Sequence, residues 1–130
     1  MLLDTSGILC LLHEAETFHD AAQTFYEAAD RRVTHSYVLA EWITLAHARG
    51  VPRALALDFA SDLLRDSEVE IEWVGHDLHR AAVVLLKARP DKSYSLCDAV
   101  SFLLMRRTRI HEALTTDRHF EQEGFRRLLV

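Results

Sequence analysis

Residues 1–12 read Met1-Leu2-Leu3-Asp4-Thr5-Ser6-Gly7-Ile8-Leu9-Cys10-Leu11-Leu12. A short apolar start stops at Asp4-Thr5-Ser6, and an apolar run resumes beyond Gly7. The pattern predicts a brief strand, a turn and a helix capped by Asp4 or Ser6. Further along, Val33 to Ser36 reads as a second short strand. A helix over Tyr37 to Arg49 follows it, ended by Gly50. Val69 to Val74 alternates apolar and polar residues, which suits a strand with one wet face near a sheet edge. His76 to Lys87 is then helical. Ser95 to Arg106 is another helix, Ala113 to Thr116 a short strand, and Asp117 opens a helical turn.

Three other segments complete the pattern. Phe18, Ala21, Ala22, Phe25 and Ala29 recur at three-to-four spacing and predict a helix over 15–31. Pro52 suits the first turn of a helix running to about Arg65. Leu128-Leu129-Val130 is a candidate last strand. Strands separated by helices imply a parallel sheet covered on both faces, hence a three-layer α/β/α arrangement. In such sheets functional groups gather where strand carboxyl ends lead into helices.

The 130 residues fit one domain, 1–130, with no repeat or linker. Four Gly and two Pro are too few for an all-β chain with many tight turns. No apolar run reaches the roughly 18 residues that span a bilayer. The start meets an acid at once and lacks a basic segment, so it does not read as a secretory signal. Cys10 and Cys97 are too few for a disulfide framework and read as buried free thiols in a reducing cytoplasm. The net charge of −5 counts against a generic nucleic-acid binder. It leaves room for an enzyme that meets phosphates through cations, because a cation site is itself acidic.

The informative feature is the isolation of certain acids. Asp4 is the only charged residue among the first twelve, Glu41 the only one between Ser36 and Ala46, and Asp98 the only one between Ser93 and Met105. Asp117 closes the segment Ala113 to Thr116. Carboxylates in apolar surroundings need a partner or take up a proton. These stretches contain no Lys or Arg. Asp4 and Asp117 follow strands, while Asp98 and Glu41 lie near helix starts, so all four can reach one rim of the sheet. A shared divalent cation would satisfy them together. Each also has a plain alternative: Asp4 and Asp117 as helix caps, and Asp98 in a Ser95-x-x-Asp98 capping box. Glu41 lies too far inside its helix to cap it.

Four segments in order carry a resemblance: Leu3-Asp4-Thr5-Ser6, Ser36-Tyr37-Val38-Leu39-Ala40-Glu41, Ser95-Leu96-Cys97-Asp98-Ala99-Val100-Ser101-Phe102, and Leu114-Thr115-Thr116-Asp117-Arg118-His119-Phe120. Over nearly its whole length the chain resembles the PIN-domain family, and within it the VapC-like toxins and their solo relatives. The resemblance implies that Asp4, Glu41, Asp98 and Asp117 bind Mg²⁺ or Mn²⁺ and hydrolyse RNA phosphodiesters, with Ser6 lining the same site. It also implies a homodimer and, for a toxin, a small antitoxin protein as partner. Two features depart from the family pattern: the first strand is very short, and Arg109 stands where relatives often have Gly.

Since Mg²⁺ takes few direct carboxylates, Asp4 and Asp98 are the expected direct ligands, with Asp117 and Glu41 acting partly through water. Ser6, Thr116 and Ser101 are candidates to hydrogen-bond the ligands. Lys92, Arg118 and His119, near the rim, are candidate RNA phosphate contacts. Arg106, Arg107 and Arg109 read instead as cations at a helix carboxyl end, on the opposite edge. His76 and His79 share a helix face that reads as solvated. Two other functions fit the same acids: a non-catalytic RNA-binding module, and a metal-dependent phosphatase or DNase.

Overall fold

The computed structural model describes all 130 residues. Its elements are β1 (Leu2–Leu3), α1 (Thr5–Leu12), α2 (His19–Ala28), β2 (Arg32–His35), α3 (Ser36–Ala48), α4 (Arg53–Arg65), β3 (Val69–Glu72), α5 (His76–Lys87), α6 (Leu96–Thr108), β4 (Glu112–Leu114), α7 (His119–Gln122) and β5 (Arg126–Arg127). The five strands form one sheet in the order β3-β2-β1-β4-β5, and every neighbouring pair is parallel. The alternating strand β3 lies at an edge, as its one-sided pattern predicts.

Strand alternation divides the core between two faces. Leu2 is in register with Val33 and Ala113, and all three join one apolar cluster with Leu78 and Leu85 of α5 and Phe102 of α6. Leu3 pairs with Leu114, and both join the other cluster, with Ile8 of α1, Val38 and Trp42 of α3, and Leu63 of α4. Helices α1 to α4 therefore cover one face, and α5, α6 and α7 the other. This is the three-layer α/β/α sandwich expected from the sequence.

The first turn of α1 lies directly on β4. A Cβ at Gly7 would come within 1.9 Å of the Leu114 carbonyl oxygen, so only glycine permits the approach. At the far end of the sheet, Arg109 closes α6 with a left-handed backbone (φ 56°), a conformation that glycine adopts more easily. Arg106 and Arg107 in the last turn of that helix are ion-paired with Glu123 and Glu72.

Several element boundaries differ from the sequence expectation, among them β3, which ends at Glu72 rather than Val74, and β4, which ends at Leu114 rather than Thr116. The helix expected over 15–31 is shorter at both ends. Residues 14–18 form successive tight turns, with Glu16 pinned by Arg49 at 2.8 Å. Arg32 donates to the Tyr26 carbonyl at the other end, which satisfies a terminal acceptor and stops the helix. Pro52 stands just outside α4 as its cap residue rather than in its first turn. The last strand begins at Arg126, two residues before the expected Leu128. Gly124 (φ 86°) turns the chain early, and the ladder starts with Arg126 N–H donating to the His111 carbonyl. Leu128 and Leu129 continue the hydrogen bonding to Ala113 and Thr115 and are buried.

Candidate active site

The carboxyl ends of the two central strands supply the floor of a cleft. Because Leu3 and Leu114 are paired, the next residues, Asp4 and Thr115, fall opposite each other. Thr115 Oγ1 donates to Asp4 Oδ2 at 2.7 Å, and the Ser6 hydroxyl lies 3.0 Å from the same oxygen. Asp4 is the residue before α1, yet its side chain makes no capping hydrogen bond. The helix is entered through Asp4, while the carboxylate faces the cleft. Burial raises its pKa from the usual range to about 6. The hydroxyls of Thr115 and Ser6 pull it back, and the charge of Asp98 adds to the rise.

Three other elements bring acids to the same cleft. It is lined by Asp4, Glu41, Asp98 and Asp117, together with Thr5, Ser6, Ser93, Ser95, Thr116 and His119 among others, and encloses roughly 850 Å³. No Lys or Arg is among its lining residues. Asp98 does form the capping box, exchanging hydrogen bonds with Ser95 at 2.9 and 3.0 Å. The plain and the functional readings of that residue are therefore compatible. Glu41 accepts a hydrogen bond from Thr5 at 3.2 Å. Asp117 accepts from the His119 backbone N–H at 2.9 Å and so starts α7.

The acids differ in burial more than their apolar neighbours in the sequence suggest. Asp4 is 7% exposed, while Glu41 is open to solvent. On α3 the residues Val38, Trp42 and Ala46 are buried, and Glu41 projects from a different face of the helix. The side chains of Asp98 and Asp117 are 13% and 36% exposed. Only Asp4 is thus fully withdrawn from water.

The closest grouping of donor atoms is Asp98, Asp117 and His119, all within 4.8 Å of one another. The expected direct pair was Asp4 and Asp98, so the geometry adds a histidine and brings Asp117 forward. His119 Nδ1 is 3.0 Å from Asp98 Oδ2 and 3.3 Å from Asp117 Oδ2. The residue expected near RNA phosphate thus lies between two acids.

The neighbouring hydroxyls are also redistributed. Ser6 is at the site as expected. Thr116 lines the cleft, but only its backbone N–H is engaged there, donating to Ser6 Oγ. The adjacent Thr115 holds Asp4, a role that depends on sheet register and leaves no mark in the sequence. Ser101 does not reach the carboxylates. It is buried against His35, with Oγ 2.8 Å from Nε2. His35 caps α3 by accepting from Val38 N–H, and burial lowers its pKa to about 4. Lys92 lies beside Asp91, and Arg118 is exposed between two lining residues. Of the two α5 histidines, His76 is solvated, whereas His79 is hydrogen-bonded to the Tyr37 hydroxyl. Cys10 and Cys97 are free and buried, and burial raises both thiol pKa values.

A parallel five-stranded sandwich with an acidic cleft at the carboxyl ends of its central strands defines a class. The PIN domain profile matches residues 1–125, and the chain belongs to the PIN-domain family. Within the family it is VapC-like. It is 30% identical over 126 residues to the 23S rRNA-specific endonuclease VapC20 of Mycobacterium tuberculosis, in both the H37Rv and CDC 1551 strains. The alignment covers 96% of this chain and 95% of that protein. The crystal structure of M. tuberculosis VapC20, described as a sarcin-ricin loop cleaving toxin, superposes with a TM-score of 0.87 at 28% identity over 95% of each chain.

Proposed function

We propose that the chain is a metal-dependent endoribonuclease, one nuclease domain over residues 1–130, with Asp4, Glu41, Asp98 and Asp117 as its catalytic acids and Mg²⁺ or Mn²⁺ as cofactor. The observation that carries this reading is the cleft itself: four carboxylates from four elements share one opening that no Lys or Arg lines. Such a donor set suits a hard divalent cation, which binds carboxylate oxygens readily. The raised pKa of Asp4 fits the same conclusion, because a cation is the natural counter-charge for an acid that burial disfavours. When bound, the ion would supply Lewis-acid chemistry, offsetting charge on phosphoryl oxygens and making water easier to deprotonate.

The chain's own residues supply the positioning. Thr115 and Ser6 orient Asp4, the capping box fixes Asp98 at the start of α6, and Thr5 holds Glu41. Arg118 and Lys92, each next in sequence to a lining residue, are our candidates to meet RNA phosphates outside the cleft. The kinship with VapC20, an endonuclease acting on 23S rRNA, supports RNA as substrate and a toxin role with a small antitoxin partner. We place the protein in the cytoplasm as a homodimer. No helix is long and apolar enough to cross a membrane.

Labelled RNA, DNA and a small phosphate ester, each incubated with Mg²⁺, Mn²⁺ or EDTA, provide the test. The expected result is RNA cleavage that is lost in EDTA and in Asp98→Asn. Tight RNA binding without cleavage in any metal, or ester hydrolysis without RNA cleavage, contradicts the proposal.

A further inference from the structure

We propose that His119 is itself a ligand of the divalent ion, through Nδ1, and that this nitrogen biases the site towards a first-row transition ion such as Mn²⁺ over Mg²⁺. The inference rests on the reading of the cleft as a metal site and specifies its chemistry. Two observations carry it. The first is spacing: Nδ1 lies 3.0 Å from Asp98 Oδ2 and 3.3 Å from Asp117 Oδ2. Adjacent ligands on an octahedral ion with bonds of about 2.1 Å stand about 3.0 Å apart, so Nδ1 lies at about that spacing from one oxygen of each acid, and the three groups offer ligand atoms within 4.8 Å of one another.

The second observation is how the ring is held. Its other nitrogen, Nε2, is 3.4 Å from Ser93 Oγ, and the ring packs T-shaped against the Tyr94 ring at a centroid distance of 5.1 Å. A ligating histidine commonly directs its second nitrogen to a hydrogen-bond acceptor, which fixes the tautomer that leaves the first nitrogen free for metal. Ser93 provides that acceptor. His119 is also the only histidine lining the cleft. Mn²⁺ binds carboxylate oxygens as Mg²⁺ does, but it accepts imidazole nitrogen more readily than the harder Mg²⁺. The competing account makes His119 a hydrogen-bond donor that only orients Asp98 and Asp117, without touching the ion.

Pulsed electron paramagnetic resonance on the Mn²⁺-loaded full chain separates the two. Direct ligation predicts ¹⁴N modulation of the Mn²⁺ signal that changes to a ¹⁵N pattern when histidine is ¹⁵N-labelled, and that disappears in His119→Gln. Calorimetry should show Mn²⁺ affinity reduced about tenfold in that variant, with Mg²⁺ affinity changed less than about twofold. Bound Mn²⁺ without nitrogen modulation overturns the inference while leaving the acidic site standing. Modulation retained in His119→Gln, or equal losses for both ions, also overturns it. A wild-type chain that takes up no Mn²⁺ overturns both the inference and the metal site beneath it.

Discussion

Asp4 and His35 are buried titratable side chains near the rim, and they respond to pH in opposite senses. The folded protein holds the Asp4 proton more tightly than the unfolded chain does, since the folded pKa is about 6. Asp4 therefore favours folding at low pH, and that contribution is lost as pH rises from about 4 through about 6, by about 3 kcal/mol in all. His35 is kept neutral, with its pKa lowered to about 4. Its contribution is present above about 6.5 and is lost as pH falls through about 4. In the metal-free protein the two slopes oppose each other. Asp4→Asn removes the first, so urea denaturation in EDTA should show the variant gaining about 2 kcal/mol on the wild type between pH 4.5 and 7.5. A gap independent of pH would show that burial does not set the Asp4 carboxyl. The two adjacent threonines offer a second test. Thr115→Val should weaken Mn²⁺ binding about tenfold, while Thr116→Val changes it less than about twofold, both read by calorimetry. Equal effects would contradict the hydrogen-bonding pattern of the cleft. The sequence marks the acids by their isolation among apolar residues, but it cannot tell Thr115 from Thr116. That distinction follows from the pairing of Leu3 with Leu114, a contact between residues 111 positions apart.

Among the elements, α1 is held against the sheet at a close backbone approach. Its first turn rests against the end of β4, and Gly7 is the point of contact. Gly7→Ala would drive a methyl group into a backbone carbonyl that cannot rotate away, so either β1 and β4 separate or α1 shifts. Thermal melting should show a loss of about 3 kcal/mol or more, or no folded protein. A variant that melts with the wild type would mean that α1 is free to move off the sheet. The elements that follow strong local rules were legible from sequence. Helix α5 has the expected limits, α6 starts at its Ser95 capping box, and β3 lies at the edge that its alternation implies. The ends that moved are those decided by side-chain contacts and strand pairing outside the helix period. Arg49 pins the turn before α2, Arg32 takes a carbonyl at its other end, and pairing with β4 draws β5 forward to Arg126. Contacts of this kind leave no periodic signal.

At the scale of the molecule, the parallel sheet does the organising. Its strands are buried between two helical layers, and their carboxyl ends open on one side. The sequence foretold this rim because Asp4 and Asp117 stand at strand-to-helix junctions and Asp98 and Glu41 lie near helix starts. It overstated their burial, because a helix with apolar neighbours on all sides in sequence still presents one face outward, as Glu41 does on α3. The Arg106-Arg107-Arg109 cluster lies at the other end of α6 from the acidic cleft, where two of the three are neutralised by glutamates. The negative cleft is thus left without a Lys or Arg counter-charge, and a divalent ion is the counter-charge proposed for it. Calorimetric titration of Mn²⁺ into the wild type and Asp98→Asn measures this directly. The expected result is saturable binding by the wild type and an affinity at least about tenfold lower in the variant. Absence of binding, or binding that Asp98→Asn leaves unchanged, would contradict it.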